Sequence, residues 1–389
     1  MVERMKTELG AALEGISIAE ANYRERGYHL SLEAAPGELL KAARFFDERG
    51  FYLAAIVCVD YKEYLELVYI FSNHASLCKV KVALKIDPAK PVAPTISTIF
   101  DCAYWHEREI REFFGVLFDG HPNMTYLFLH DGIDSYPLRK EKIPVPDEDK
   151  RALGSFRPGA GEDTFFVNLG PQHPSTHGVL RVVLKMDGEY IEEAEPVLGY
   201  LHRMHEKMAE NRSYQQFLPN TGRMDYLGAM SFNLGYVTAV ERLCGIAVPD
   251  RANYVRVILT ELNRLSSHLL WLGAYLADLG ALTPFLFVFD DREQINDILE
   301  PVTGSRLTYC YFRFGGLYND VDDAFVAGTR AFIERMRSRF SLYEKLVGGN
   351  VIFTNRTRGI GVIAKERARK QAVSGPVLRG AGIAMDIRK

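Results

Sequence analysis

The stretch PDRANYVRVILTELNRLSSHLLWLGAYLADLG, residues 249–280, decides the architecture of this protein. Its apolar residues recur at helical spacing. Pro249 stands where a helix begins, and Asp250 falls in the first turn, where free N–H groups favour a carboxylate. Read from Leu269 to Phe289 (LLWLGAYLADLGALTPFLFVF), the sequence is long enough to cross a bilayer core of roughly 30 Å. Asp278 argues against a span. A carboxylate at the middle of a spanning helix costs about 2.5 to 3.5 kcal/mol, and Pro284 interrupts the helix further along. The segment reads instead as a helix of a soluble bundle, covered by protein on every side.

Along this helix Glu261, Arg264, His268, Trp271, Tyr275 and Asp278 are spaced 3, 4, 3, 4 and 3 apart. At about 100° per residue they share a sector roughly 100° wide, provided the helix runs unbroken past Gly273. A buried polar stripe must find partners, because an unpaired carboxylate or imidazole in apolar surroundings is costly or shifts its pKa. A structural hydrogen-bond network between helices and a functional site both meet that demand.

Outward from the helix the sequence is α+β. FYLAAIVCVDYK, YLELVYIFSN and KVKVALKI, rich in β-branched and aromatic residues, read as consecutive strands of a small N-terminal α+β domain covering residues 1–140. WHEREIREFFGVLF reads as a short helix closed by Gly115, its charges on a solvated side. His106-Glu107 opens like a zincin motif, but Ile110 stands where the second His is needed. From Pro137 to Gly161 the sequence is charged and Pro-rich without periodicity, which places a linker at 141–161. In the second domain, 162–389, DTFFVNL, GVLRVVLKM and EYIEEAEP read as a small antiparallel sheet, with a turn at Asp187-Gly188. Helical patterns follow in GYLHRMHEKMAENRSYQQ, in RMDYLGAMSFNLGYVTAVERLCGI and in the long helix, so the sheet is expected to be attached to a bundle.

Composition narrows the function. With 389 residues, 25% charged and a formal net charge of -3, nothing points to a polyanion partner such as nucleic acid. Five cysteines without a CxxC pair offer neither a disulfide framework nor a local metal set, and no leader pattern opens the sequence, so a reducing, cytoplasmic setting is expected. GPQHPSTHG, residues 170–178, carries His173 and His177 beside Pro174. His-x3-His binds metal best on a helix, which Pro174 disfavours, so the pair reads as positioned loop groups, with a proton donor or ligand anchor open. Gly359-Ile-Gly361 lacks the strand and helix of a dinucleotide site and reads as a strand with close backbone approach.

Two sets of motifs carry a resemblance. Glu107-Arg108-Glu109 through Phe113-Phe114-Gly115 to Phe118-Asp119-Gly120-His121-Pro122, then Pro137-Leu138-Arg139-Lys140, resembles the 30 kDa subunit of respiratory complex I. GPQHPSTHG, GYLHRMHEKM, RMDYLG, ELNRLSSHL, DLGALTPF, TGSR, RTRGIGV and SGPVLRGAGI-x-x-DIRK resemble, in order, the 49 kDa subunit. The order is that of the fused C/D (30 kDa plus 49 kDa) subunit of some bacteria. The resemblance implies a long-helix bundle like the nickel-iron hydrogenase large subunit, and a peripheral-arm subunit of a proton-translocating NADH:quinone oxidoreductase on the cytoplasmic side of the inner membrane. It assigns His177 and Tyr226 to the two ends of a quinone headgroup and makes Asp278 the partner of the histidine. It sets Arg223 and His268 beside a 4Fe-4S cluster held by the iron-sulfur small subunit. Membrane-arm subunits complete the partners, NADH is used by a distant subunit, and this polypeptide holds no metal of its own.

The same superfamily holds the nickel-iron hydrogenase large subunits, whose first CxxC lies where this sequence has Cys244-Gly245-Ile246-Ala247. One thiolate where two are needed leaves half a ligand shell, so Cys244 reads as a vestige or a core residue. A dehydrogenase fed by ferredoxin or deazaflavin, and a non-catalytic scaffold, are the remaining alternatives. The 49 kDa pattern continues beyond DIRK, so a C-terminally shortened second module is expected.

Overall fold

The computed structural model describes residues 2–13, 16–130, 132–147 and 165–386. Two compact units emerge, Met1–His202 with Val362–Lys389, and Arg203–Gly361. Both mix sheet and helix to different degrees.

In the first unit β1 (Ile18–Glu20), β2 (Leu30–Glu33), β3 (Phe51–Asp60), β4 (Leu65–Asn73) and β5 (Lys79–Ile86) form one sheet in the order β1-β2-β5-β4-β3. Within this sheet β2 and β5 pair in parallel and the other neighbours antiparallel. The three strands expected from the sequence are β3, β4 and β5. Helix α1 (Pro36–Glu48) covers the sheet with Leu39, Ala42 and Phe46, and Phe46 stacks on Phe71 at 4.4 Å between centroids.

Helix α2 (Ala103–Phe114) ends at Gly115, which takes φ 79° as expected of a helix stop. Its charges are not solvated, contrary to the sequence expectation: Glu107, Arg108, Arg111 and Glu112 are at most 3% exposed. Partners come from backbone that no strand or helix satisfies. The Glu112 carboxylate accepts the N–H groups of Leu127 (2.9 Å) and Phe128 (3.0 Å), and Arg108 donates to the carbonyls of Thr125 (3.1 Å) and Tyr126 (2.8 Å). Charges at i, i+1, i+4 and i+5 fit an inward face as well as an outward one once loops supply the partners, which periodicity does not reveal.

The start of the Pro-rich segment is tied to the first unit by specific contacts. Arg139 pairs with Asp60 at 3.0 Å, both side chains nearly buried, and the Val145 N–H reaches the Asp134 carbonyl at 2.9 Å. Burial works against ionisation of Asp60, but the N–H groups of Lys140 and Lys62 and the Arg139 guanidinium hold its carboxyl below the ordinary range. Residues 148–161 of the expected linker lie outside the described residues.

The second sheet, β6 (Phe165–Leu169), β7 (Arg181–Asp187) and β8 (Tyr190–Val197), is antiparallel in the order β8-β7-β6 and belongs to the first unit. So does the segment after residue 361. There Arg369, 8% exposed, donates to the Asp47 carboxylate at 2.5 Å and to the Phe51 carbonyl, while the Cys102 N–H reaches the Lys370 carbonyl at 3.2 Å. The strand expected at 359–364 is a turn instead, because Gly359 and Gly361 take φ values of 76° and 66°, which extended backbone does not allow.

The second unit is helical. The principal helices are α3 (Ala229–Cys244), α4 (Asp250–Asp278), α5 (Leu282–Thr303) and α6 (Asp323–Tyr343). Helix α4 runs unbroken past Gly273, and the backbone reverses at 279–281, before Pro284, so that α5 packs back along α4. Gly273 sits at the close approach: a Cβ there would lie 2.5 Å from Val288 Cγ2. Leu259, Val288, Ile295, Leu299, Val237 and Phe312 centre the core. Among the described residues no helix is long and apolar enough to cross a membrane. The expectation that α4 is covered on every side fails, since Tyr254 is 74% and Trp271 58% exposed. Its polar inner-face residues Arg256, Asn263 and Ser266 are the buried ones, and the spaced stripe faces outward.

A buried acid gives this fold a pH signature. Burial pushes the Glu107 carboxyl up to about 7, against hydrogen bonds from Thr95 (2.5 Å) and the Ile96 N–H (2.9 Å). A pKa raised in the folded state stabilises fully below the ordinary carboxyl value, and that contribution is lost as pH rises through about 7. Glu107→Gln, which can keep both contacts, is expected to melt close to the parent at pH 4.5 and above it at pH 8, by at most roughly 3 kcal/mol. Thermal unfolding at the two pH values checks this, and a difference independent of pH would contradict it.

Candidate functional site

The sequence pattern carries helix through RMDYLG, but residues 222–228 form a tight turn before α3. Gly222 passes so close to the Tyr309 carbonyl that a Cβ would lie 2.5 Å from its oxygen. Asp225 Oδ1 accepts the N–H groups of Leu227 (3.1 Å) and Gly228 (3.0 Å), the local bond by which Asp competes with helix. Asn263 reaches over from α4: its amide oxygen accepts the Met230 N–H and its amide nitrogen donates to the Leu227 carbonyl, both at 3.0 Å. On α3, fully buried Asn233 donates to Thr221 Oγ1, just before the turn (3.3 Å), and accepts the Phe312 N–H (3.0 Å). The backbone on both sides of Tyr226 is thereby fixed, while Tyr226 itself is 45% exposed. Arg223, on the same turn, is exposed and donates to the Pro219 carbonyl at 2.6 Å.

The outward stripe of α4 forms a run of contacts. Arg264 Nε donates to Glu261 at 3.0 Å, and Arg264 Nη1 lies 3.4 Å from His268 Nε2. Trp271 and Tyr275 stack at 5.8 Å. Asp278 is exposed at the last position of α4, about 22 Å along the helix from Asn263. Below the stripe, Arg256 and Glu241 pair at 2.6 Å, nearly buried, and bind the 313–316 hairpin: Arg256 donates to the carbonyls of Arg313 (2.8 Å) and Gly316 (3.0 Å), and Glu241 accepts the Gly315 N–H at 2.8 Å. Burial opposes ionisation of Glu241, yet Arg256 and that N–H keep its carboxyl below the ordinary range.

In the first unit GPQHPSTHG forms a single 3-10 turn, Pro174–Thr176. His173 caps it, Nδ1 accepting the Ser175 N–H at 3.2 Å, so this imidazole is a positioned loop group. Buried Thr176 donates to the carbonyls of Pro171 and His173, each at 3.1 Å, and a Cβ on Gly170 would lie 2.2 Å from the Leu180 carbonyl oxygen. His177 stands exposed on left-handed backbone, φ 53°, a conformation a non-glycine residue holds only when its surroundings impose it.

Arg223 and Tyr226 thus share one turn, His268 and Asp278 share α4, and His177 belongs to the other unit. Sequence reasoning missed Asn263 and Asp225. The signals were an Asp three residues before Gly228 at the mouth of a helix, and an amide on the inner side of α4. Two cavities in the second unit lie elsewhere: a groove of about 790 Å³ between α4 and α6, and a pocket of about 510 Å³ between α5 and α6, neither lined by Tyr226 or Asp278. Cys244 is exposed at the end of α3, which corrects its reading as a core residue, and Cys58, Cys78 and Cys102 are buried. Among the described residues no group of three or more His, Cys, Asp or Glu is placed to hold a metal ion.

Asp225→Ala removes the acceptor of two turn N–H groups and is expected to cost about 1 kcal/mol, the usual net worth of such a hydrogen bond. Hydrogen exchange at the Leu227 and Gly228 amides should accelerate while α5 is unaffected; unchanged exchange at those two amides would count against this role of Asp225.

Comparison with known proteins gives two family matches. Residues 32–147 match "Respiratory-chain NADH dehydrogenase, 30 Kd subunit" and residues 278–389 match "Respiratory-chain NADH dehydrogenase, 49 Kd subunit". The sequence is 35% identical over 427 aligned positions to the C/D 2 subunit of the NADH-quinone oxidoreductase of Aquifex aeolicus, a match that takes in all of this protein and 71% of that one. It is 40% identical to the C/D subunit of Nitrosospira multiformis over 82% of its own length and 55% of the relative's. The D subunit of Desulfotalea psychrophila is 61% identical over 59% of this protein and 61% of its own length. The sequence spans about three fifths of the length of the D-type relatives it matches.

Proposed function

Because the protein belongs to the family of NADH-quinone oxidoreductase C/D subunits, we propose that it serves in the peripheral arm of a proton-translocating NADH:quinone oxidoreductase and forms its quinone-reducing site. The match along the entire sequence to a fused C/D polypeptide carries this reading. The reaction moves two electrons and one proton from NADH, with one further proton from solvent, onto the two carbonyl oxygens of a quinone, giving NAD⁺ and hydroquinone. This polypeptide supplies the proton side. Tyr226, projecting from a turn held at several points, hydrogen-bonds one carbonyl, and His177, at the tip of the Pro-rich loop, hydrogen-bonds the other. Asp278 is the acid that partners His177 and keeps a proton on the ring.

Electrons arrive from a 4Fe-4S cluster in the iron-sulfur small subunit. The separated thiols of the present protein suit that division, and Arg223 and His268 are the groups it turns toward the cluster, where a cation and a titratable ring influence the potential. The remaining partners are the other peripheral-arm subunits, including the one that takes NADH, and the membrane arm, with this protein peripheral on the cytoplasmic side of the inner membrane. The N-terminal module, 1–140, acts as scaffold, and 162–389 as the quinone module with the hydrogenase-like bundle.

Tyr226→Phe removes one hydroxyl and leaves the ring. In membranes carrying the assembled complex it should lower NADH:quinone activity at least about a hundredfold, the scale of a lost general acid, while NADH:ferricyanide activity, which bypasses the quinone, stays at the parent level. Normal quinone turnover would refute the assignment.

A further inference from the structure

Helix α3 opens without a cap of its own. Its N-cap residue is Gly228, which has no side chain to accept a first-turn N–H, and a Cβ there would lie 2.7 Å from Asp225 Oδ2. The first-turn N–H of Met230 is one of the donors that a helix cannot satisfy internally. Its acceptor comes from another helix: Asn263 of α4, 2% exposed, receives it at 3.0 Å and with its amide nitrogen binds the Leu227 carbonyl at 3.0 Å. The two backbone groups lie one and four residues beyond Tyr226. Asp225 cannot replace both contacts, because a carboxylate offers no donor for the Leu227 carbonyl.

We infer that Asn263 is the positioning residue for the Tyr226 phenol in quinone reduction, an inference that rests on the role of Tyr226 proposed above. The carboxamide needs both of its faces for this task. It ties the Tyr226 turn to α4, so the phenol is registered to the helix that carries Arg264, His268 and Asp278 rather than only to α3. Loss of either hydrogen bond leaves a buried or half-buried backbone group unpaired and lets the turn shift, and a displacement of about 1 Å at a reacting group costs on the order of a hundredfold in rate. No reacting atom is removed, so the defect must act through the phenol.

The test uses assembled complex in membranes, with Asn263→Asp as the principal variant. It keeps the shape and the acceptor for Met230 and replaces the donor to Leu227 with an oxygen. In the parent it should lower kcat with quinone at least about tenfold, with unchanged content of assembled complex and unchanged NADH:ferricyanide activity. In a Tyr226→Phe background the same change should lower the residual quinone rate less than about twofold, because effects of groups that act as a unit do not add. An equal fold-loss in both backgrounds overturns the inference, as does a parent-like rate in Asn263→Asp. Parent-like turnover in Tyr226→Phe alone would instead remove the reading of the site. Should Asn263→Asp fail to accumulate, Asn263→Gln, with both polar groups on a longer arm, goes through the same two-background comparison.

Discussion

A polar group taken out of water must be paired, and in this protein that requirement holds the irregular segments in place. The inner face of α4 shows it best. Arg256 and Asn263, both 2% exposed, are seven residues apart, two turns along one side of the helix. Neither can be left without partners, and each finds them in backbone outside its own helix: the 313–316 hairpin for Arg256, the Tyr226 turn and the first turn of α3 for Asn263. Replacing either by an apolar residue of equal size would keep the helix and release the loop. Helix α2 uses the same device in the first unit, where Glu112 and Arg108 hold residues 125–128.

The regular elements are legible because their signals are local. Alternating β-branched and aromatic residues mark β3, β4 and β5, and Asp187-Gly188 marks the hairpin between β7 and β8. Pro249 and Asp250 locate the start of α4, and the break before Pro284 separates it from α5. Illegible parts depend on partners far away in sequence. Whether Glu112 faces water is decided by residues 127–129, and whether Arg369 is a surface cation is decided by Asp47, 322 positions earlier. Helical spacing also runs straight through RMDYLG, because Asp225 and Asn263 divert that segment into a turn by hydrogen bonds that no hydrophobic pattern encodes. Of the candidate residues, the pairing of Arg223 with Tyr226 follows from sequence proximity; the anchoring of their turn does not.

The stripe on α4 teaches a related point. Its residues do share one side of the helix, but the demand for partners follows only if that helix is covered all round. Here the stripe is the outer face, where water joins the neighbouring side chains in satisfying charged groups such as Arg264. Outward polarity of that kind is ordinary. The stacked, exposed Trp271 and Tyr275 beside it are less so, since aromatic pairs in water forgo most of the burial that makes them favourable.

Exposure also bears on how the proposed chemistry can work. A phenol that delivers a proton to a reduced quinone must do so away from bulk water, both to direct the proton and to keep reactive intermediates from solvent. Tyr226 is 45% exposed, and His177, Arg223, His268 and Asp278 are exposed as well. The turn supplies a fixed direction for the phenol and no enclosure for it. In the reading proposed, enclosure comes from surfaces that cover these groups in the assembled complex, and the division of labour follows: this polypeptide presents rigidly held proton donors, while water exclusion and the electron supply arrive with the partner. The number of anchors on residues 222–228 fits that division, because an exposed donor keeps its direction through the hydrogen bonds that hold its backbone.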